Sequence, residues 1–119
     1  MVAGMTTHVF DVSWPDRVLS PNGRGHWVAK AKAVKLHRQE AWTMALAAGV
    51  RPSDHASVHM VFFPKPRGPA PDKDNCIASA KAIQDGIADA LRMNDRDMTV
   101  THEVSTQRAG CVRVTVVTP

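Results

Sequence analysis

The chain has 119 residues, 44% apolar and 22% charged, and its 15 Lys plus Arg against 11 Asp plus Glu give a formal charge of +4. That length suits one domain (residues 1–119) with one modest core, and no apolar run approaches the roughly 20 residues needed to cross a bilayer. Cys76 and Cys111 are too few for a disulfide scaffold and form no Cys-x-x-Cys knuckle, which argues against a thiolate zinc site and for free thiols in a reducing compartment. In chain order, Thr7 to Val12 predicts a short strand. The stretch from Trp14 to His26 follows, broken by Pro15, Pro21, Asn22, Gly23 and Gly25 and made basic by Arg17 and Arg24. Trp27 to Ala48 contains no Gly or Pro and predicts a helix with Val34, Ala41, Ala45 and Ala48 as its apolar stripe. Lys30, Lys32, Lys35 and Arg38 load the first half of that helix with positive charge. Gly49 and Pro52 end it.

Ser57 to Phe63 alternates as a strand, with Val58, Met60 and Phe62 on one face. Pro64 to Pro71 holds four prolines and Gly68 with Lys65 and Arg67, so it predicts a basic loop rather than regular structure. A second helix is expected from Asp74 or Asn75 to Arg92, its buried side marked by Ile77, Ala80, Ile83, Ile87 and Leu91. Gly86 within it permits a close approach by a neighbouring element. Asn94 to Asp97 predicts a polar turn. Met98 to Thr106 and Cys111 to Thr118 predict two final strands, joined through Gln107–Gly110 as an antiparallel hairpin. The expected fold is therefore a small mixed α/β sheet packed by two main helices, in the order β-α-β-α-β-β. Trp27 and Trp42 are expected to pack against the core rather than stack on bases. The first residues lack the basic-then-apolar pattern of a secretory signal, so a cytoplasmic location is expected.

Three carboxylates carry the chemical interest. Asp72 and Asp74 flank Lys73, and in an extended approach to a helix alternate side chains point the same way. Asp95 lies beyond the second helix, which as one rod of about eighteen residues would span roughly 27 Å. The three meet only if the chain loops back or if a second subunit supplies Asp95, and spacing leaves both routes open. A divalent ion such as Mg²⁺ favours oxygen ligands of this kind, and it activates water and polarises phosphate. The bland alternative is a helix cap at Asp72–Asn75 and an ordinary turn at Asn94–Asp97. Carboxylates beside basic loops at Arg17 to Arg24 and Lys65 to Arg67 are what a nuclease needs.

The run Pro71-Asp72-Lys73-Asp74-Asn75, with Lys81, Asp85, Ala90-Leu91 and Asn94-Asp95, resembles the RusA family of Holliday-junction resolvases. The front segment Leu19-Ser20-Pro21-Asn22, with Arg24, His26 and Trp27, is similar to that family's Pro/Ser/Asn/Arg-rich stretch. The resemblance implies a homodimeric, Mg²⁺- or Mn²⁺-dependent endonuclease, of phage or prophage type, that nicks four-way DNA junctions in pairs. It places the metal-binding and catalytic carboxylates on Asp72, Asp74 and Asp95. The family's lysine, three residues after the motif's asparagine, finds Ala78 here; Lys81, one helical turn on, keeps the four-residue offset to Asp85, with Lys73 as the competing candidate. Asn94 stands where many members carry another aspartate. Phosphate contacts are expected from Arg17, Asn22, Arg24, Lys65, Arg67 and Lys73. The sequence leaves two rival functions: a less selective flap or branched-DNA nuclease, and a catalytically silent DNA-binding accessory protein.

Overall fold

The computed structural model describes residues 5–21 and 26–119. Strand β1 (Thr6–Ser13) leads through a 3₁₀ turn at Arg17–Leu19 to helix α1 (Trp27–Ala47), then to β2 (Ser57–Phe63). Helices α2 (Lys73–Ser79) and α3 (Lys81–Leu91), a 3₁₀ turn at Asp95–Asp97, β3 (Thr99–Val104) and β4 (Cys111–Thr118) complete the chain. The expected mixed α/β domain is present, but its second helix is two helices. At the break, the Ser79 hydroxyl donates to the Asn75 carbonyl at 2.7 Å, and the Ala80 N–H is shared between the Cys76 and Ile77 carbonyls. A serine bonding back onto the preceding turn bends a helix. Asp72, which accepts from the Asp74 N–H at 2.9 Å, caps the start of α2.

The sheet order is β1-β4-β2-β3, with β2 and β3 parallel and the other pairs antiparallel. The expected β3–β4 hairpin is thus corrected: β4 inserts between β1 and β2, and the Gln107–Gly110 segment crosses the end of β2 instead of turning back. That crossing is held by the Ser105 N–H on the Phe62 carbonyl and the Gly110 N–H on the Phe63 and Pro64 carbonyls. Gly110 has φ +73, a conformation glycine adopts without steric penalty. Helical crossovers suit parallel pairing, and α2–α3 is the crossover between β2 and β3.

One face of the sheet meets the helices. Register aligns Phe10, Val114 and Met60 in one row and Val12, Val112 and Phe62 in the next, and all six are buried in the core. From the helices, Ala41, Ala45, Ile83, Ile87 and Leu91 complete it. Ala33 is buried where Val34 was expected, and Val34 is 37% exposed. The expectation for the tryptophans is overturned: Trp27 is 73% exposed and Trp42 42%. Alanines set the core-facing side of α1 because α1 and α3 approach too closely for larger groups. At Gly86 of α3, an added Cβ would lie 2.2 Å from the Arg38 carbonyl and 2.8 Å from the Ala41 Cβ. The close approach that Gly86 implied is real.

Candidate functional site

Two regions gather the charged residues singled out above. The first is a cleft of about 390 Å³ between the Trp14–Ser20 segment, the proline-rich loop and α2. Arg17, Lys65 and Arg67 line it together with Asp72. The two basic loops are thus neighbours, although their cations lie almost fifty residues apart in the chain.

Each wall has a local cause. On the first loop, the Ser13 N–H and hydroxyl donate to the Glu40 carboxylate at 3.0 and 2.6 Å. The Asp16 N–H donates to Nε2 of His37 at 3.0 Å, so that nitrogen is the unprotonated one. Asp16 in turn accepts from the Val18 N–H, capping the 3₁₀ turn, and Leu19 is buried beneath it. Helix α1 therefore fixes where Arg17 stands. On the second loop, Arg108 donates from Nη1 to the Lys65 and Gly68 carbonyls at 2.9 and 3.1 Å. The Ala109 N–H adds a bond to the Pro64 carbonyl. Arg108, His37 and Glu40 are positioning residues that sequence reasoning missed. Nothing in their local context marks them, since each acts on a segment distant in sequence.

Among the described residues, Arg17, Lys65 and Arg67 form no ion pair. The cleft floor is apolar: the ring of half-buried Trp14 meets the buried Phe62 edge-on, 6.1 Å between centroids at 83°. Cys76 also lines it. Burial, followed by the Asp72 charge, pushes the Cys76 thiol up from its ordinary value, so it is a neutral thiol and no nucleophile at neutral pH.

The second region lies on α3 and the turn after it. Lys81 bonds Asp85 at 3.0 Å and also Asp95, and the Gln84 amide reaches Asp95 at 3.5 Å. The fold thus brings Lys81, the first residue of α3, and Asp95, in the turn after it, into contact. Across the α1–α3 seam, Arg38 grips Asp89 with two bonds of 2.7 and 2.9 Å. The Asp95 hydrogen bond, then Asp85, raises Lys81 above the ordinary lysine range, and Lys81 in return lowers Asp95. Lys81 is therefore a fixed cation, not a resting base. Asp89 is lowered by the Arg38 hydrogen bond.

Asp74 is exposed on the first turn of α2. Lys73 sits near His102, whose pKa is lowered by burial first and then by the charges of Lys73 and His59. His102 projects from β3 towards the helix side and stacks on Phe62 at 6.1 Å and 17°. Its Nε2 is buried without a hydrogen-bond partner among the described residues. Asn22 and Arg24 lie outside the described residues. Among the described residues, no group of three or more His, Cys, Asp or Glu side chains is placed to hold a metal ion. No helix there is long and apolar enough to cross a membrane.

The open-sheet α/β arrangement is shared with larger proteins. FtsZ from M. jannaschii matches with a TM-score of 0.51 at 12% identity, both as the W319Y mutant and as the empty dimer. The match covers 96% of this chain and 27% of the mutant's, so this chain spans about a quarter of FtsZ, and the likeness shows the fold alone. No protein-family model matches the chain. The chain belongs to the same family as a Xylella fastidiosa (strain Temecula1) protein described as uncharacterized. The two are 40% identical over 111 residues, covering 87% of this chain and 71% of that protein.

Proposed function

We propose that this chain is a RusA-like endodeoxyribonuclease that acts on branched DNA, four-way junctions foremost, as a Mg²⁺-dependent homodimer. Mn²⁺ would substitute for Mg²⁺. The observation that carries the reading is the cleft: Arg17, Lys65 and Arg67, without acidic partners among the described residues, line it together with Asp72. Cations held ready on two fixed loops suit a backbone phosphate, which needs charge more than exact geometry. Asp72, Asp74 and Asp95 are the carboxylates of the reading, and Lys81 supplies a positive charge for the phosphate.

Within one chain, the described residues present no three-ligand site for a divalent ion. Asp72 and Asp74 open α2 while Asp95 is engaged by Lys81. In this reading Asp95 reaches the Asp72–Asp74 turn either from a second copy or, released from Lys81, within the same chain. Two-fold pairing provides the first of these and presents two sites to a nearly two-fold substrate.

The engagement of Asp95 by Lys81 favours a second reading, DNA binding without cutting. Matched linear, forked and four-way DNAs, incubated with and without Mg²⁺, separate the readings. Preferential cutting of the four-way substrate is expected. Equal rates on all three would leave a less selective nuclease. Absence of cutting, with affinity indifferent to Mg²⁺, would establish the silent binder.

A further inference from the structure

We infer that the cleft takes one unpaired nucleotide of a DNA strand, its base against Trp14 and its phosphates on Arg17, Lys65 and Arg67. The inference rests on the DNA-binding part of the reading above and adds what that reading lacks, a way to tell an interrupted duplex from a continuous one.

The dimensions come first. At about 390 Å³ the cleft falls near the lower end of the roughly 300–1,000 Å³ range of small-ligand sites. That volume is on the scale of a single nucleotide. Its chemistry is divided in the way a nucleotide is divided. The floor and one wall are apolar, made by Trp14, Phe62 and Pro64, and the rim is cationic. Trp14 is half-buried and Phe62 fully buried, and the two rings meet at 83° with centroids 6.1 Å apart, so Trp14 is the ring of the pair left accessible to a base. Single-stranded sites combine aromatic platforms with basic grooves in this manner. Extracting a base is least costly where it is already unpaired, which selects branch points and bulges over continuous duplex.

Two carboxylates also line the cleft and repel phosphate, Asp16 and Asp72. Both are turned into local caps, Asp16 on the Val18 N–H and Asp72 on the Asp74 N–H. The three cations, by contrast, have neither an ion pair nor a side-chain hydrogen bond among the described residues, and outnumber the two carboxylates. The walls are held from outside by Arg108, His37 and Glu40, so the cleft is formed before a ligand arrives.

The test compares the full chain's affinity for a duplex containing one unpaired nucleotide with that for its fully paired counterpart, at one salt concentration and without Mg²⁺. A preference of roughly tenfold for the bulged DNA is expected, the scale of one base stacked on an aromatic ring. Trp14→Phe should keep most of that preference, and Trp14→Leu, which retains apolar packing on Phe62, should bring the ratio close to one. With 2-aminopurine at the unpaired position, binding by the unmodified protein should quench its fluorescence, a readout that does not depend on any variant folding. Equal affinity for both DNAs, an unquenched probe, or a preference that survives Trp14→Leu would overturn the inference while leaving junction cleavage to stand or fall by itself. Failure to bind any DNA at low salt would remove the underlying reading as well.

Discussion

The cleft and the α3 charge cluster are built from similar residue types and use them in opposite ways. Around α3, Arg38 grips Asp89 and Lys81 grips Asp85 and Asp95, so every one of these charges has a partner. In the cleft, Arg17, Lys65 and Arg67 have none among the described residues, and the side chains that do bond there (Arg108, His37, Glu40) act on backbone to place the loops. Paired charges near the surface contribute little to stability but fix the relative position of two elements. On the proposed reading, the unpaired cations on fixed loops serve a phosphate ligand. The contrast separates the Arg38–Asp89 pair, whose loss should alter the fold, from the cleft cations, whose loss should alter binding.

The sharpest way to break that separation is at the α1–α3 seam. Gly86→Ala places a methyl group against the Arg38 carbonyl, and overpacking of this kind costs about 1–3 kcal/mol or more. A drop of several degrees or more in Tm is expected by calorimetry, with DNA affinity of the folded fraction unchanged. Next in size is the reverse case. Replacing Arg17, Lys65 and Arg67 together by Ala should weaken DNA binding by ten-fold or more and reduce the slope of log affinity against log salt by about 2–3, with Tm almost unmoved. A fall in Tm without a change in salt slope would show that these cations are structural after all.

Acid should act on the cluster. Asp89 and Asp95 have lowered folded-state pKa values, so their contribution is fully present above the unfolded carboxylate value of about 4. It is lost as pH falls from there through the lowered folded values. Urea unfolding at pH 5 and pH 3 should show the parent losing more stability than the Asp89→Asn/Asp95→Asn variant. The smallest effect expected is that of Arg38→Ala. The Arg38–Asp89 pair is about half exposed, and its loss should cost no more than about 1 kcal/mol in chemical denaturation.

How much of this was readable in the sequence depended on distance along the chain. β1, β2, β4 and α1 were legible because alternation and the absence of breakers are local signals, and Gly86 declared its close contact by residue type alone. The β3–β4 hairpin was misread because Gln107–Gly110 has the turn chemistry of a hairpin and of a strand crossing alike; only pairing with β2 decides. The break at Ala80 follows from one serine hydroxyl in a run that otherwise favours helix. Trp27 and Trp42 are apolar enough to be expected against the core, whereas Ala33, Ala41 and Ala45 take the inner face of α1, and at Ala41 the close approach of Gly86 leaves room for little more than a methyl group. For the candidate site, composition marked both basic loops and the spacing to Asp85 marked Lys81. Their tertiary partners were invisible, because Arg108 reaches back forty residues to the Gly68 carbonyl.

The central claim is that Asp72, Asp74 and Asp95 serve a phosphodiester-cutting site fed by the basic cleft. It is tested most directly by incubating a labelled four-way junction with Mg²⁺ and either the parent chain or Asp74→Asn. Paired nicks by the parent, nearly abolished in the variant while most junction binding is retained, is the expected result. An intact junction after incubation with the folded, DNA-bound parent, or undiminished cutting by Asp74→Asn, would contradict it.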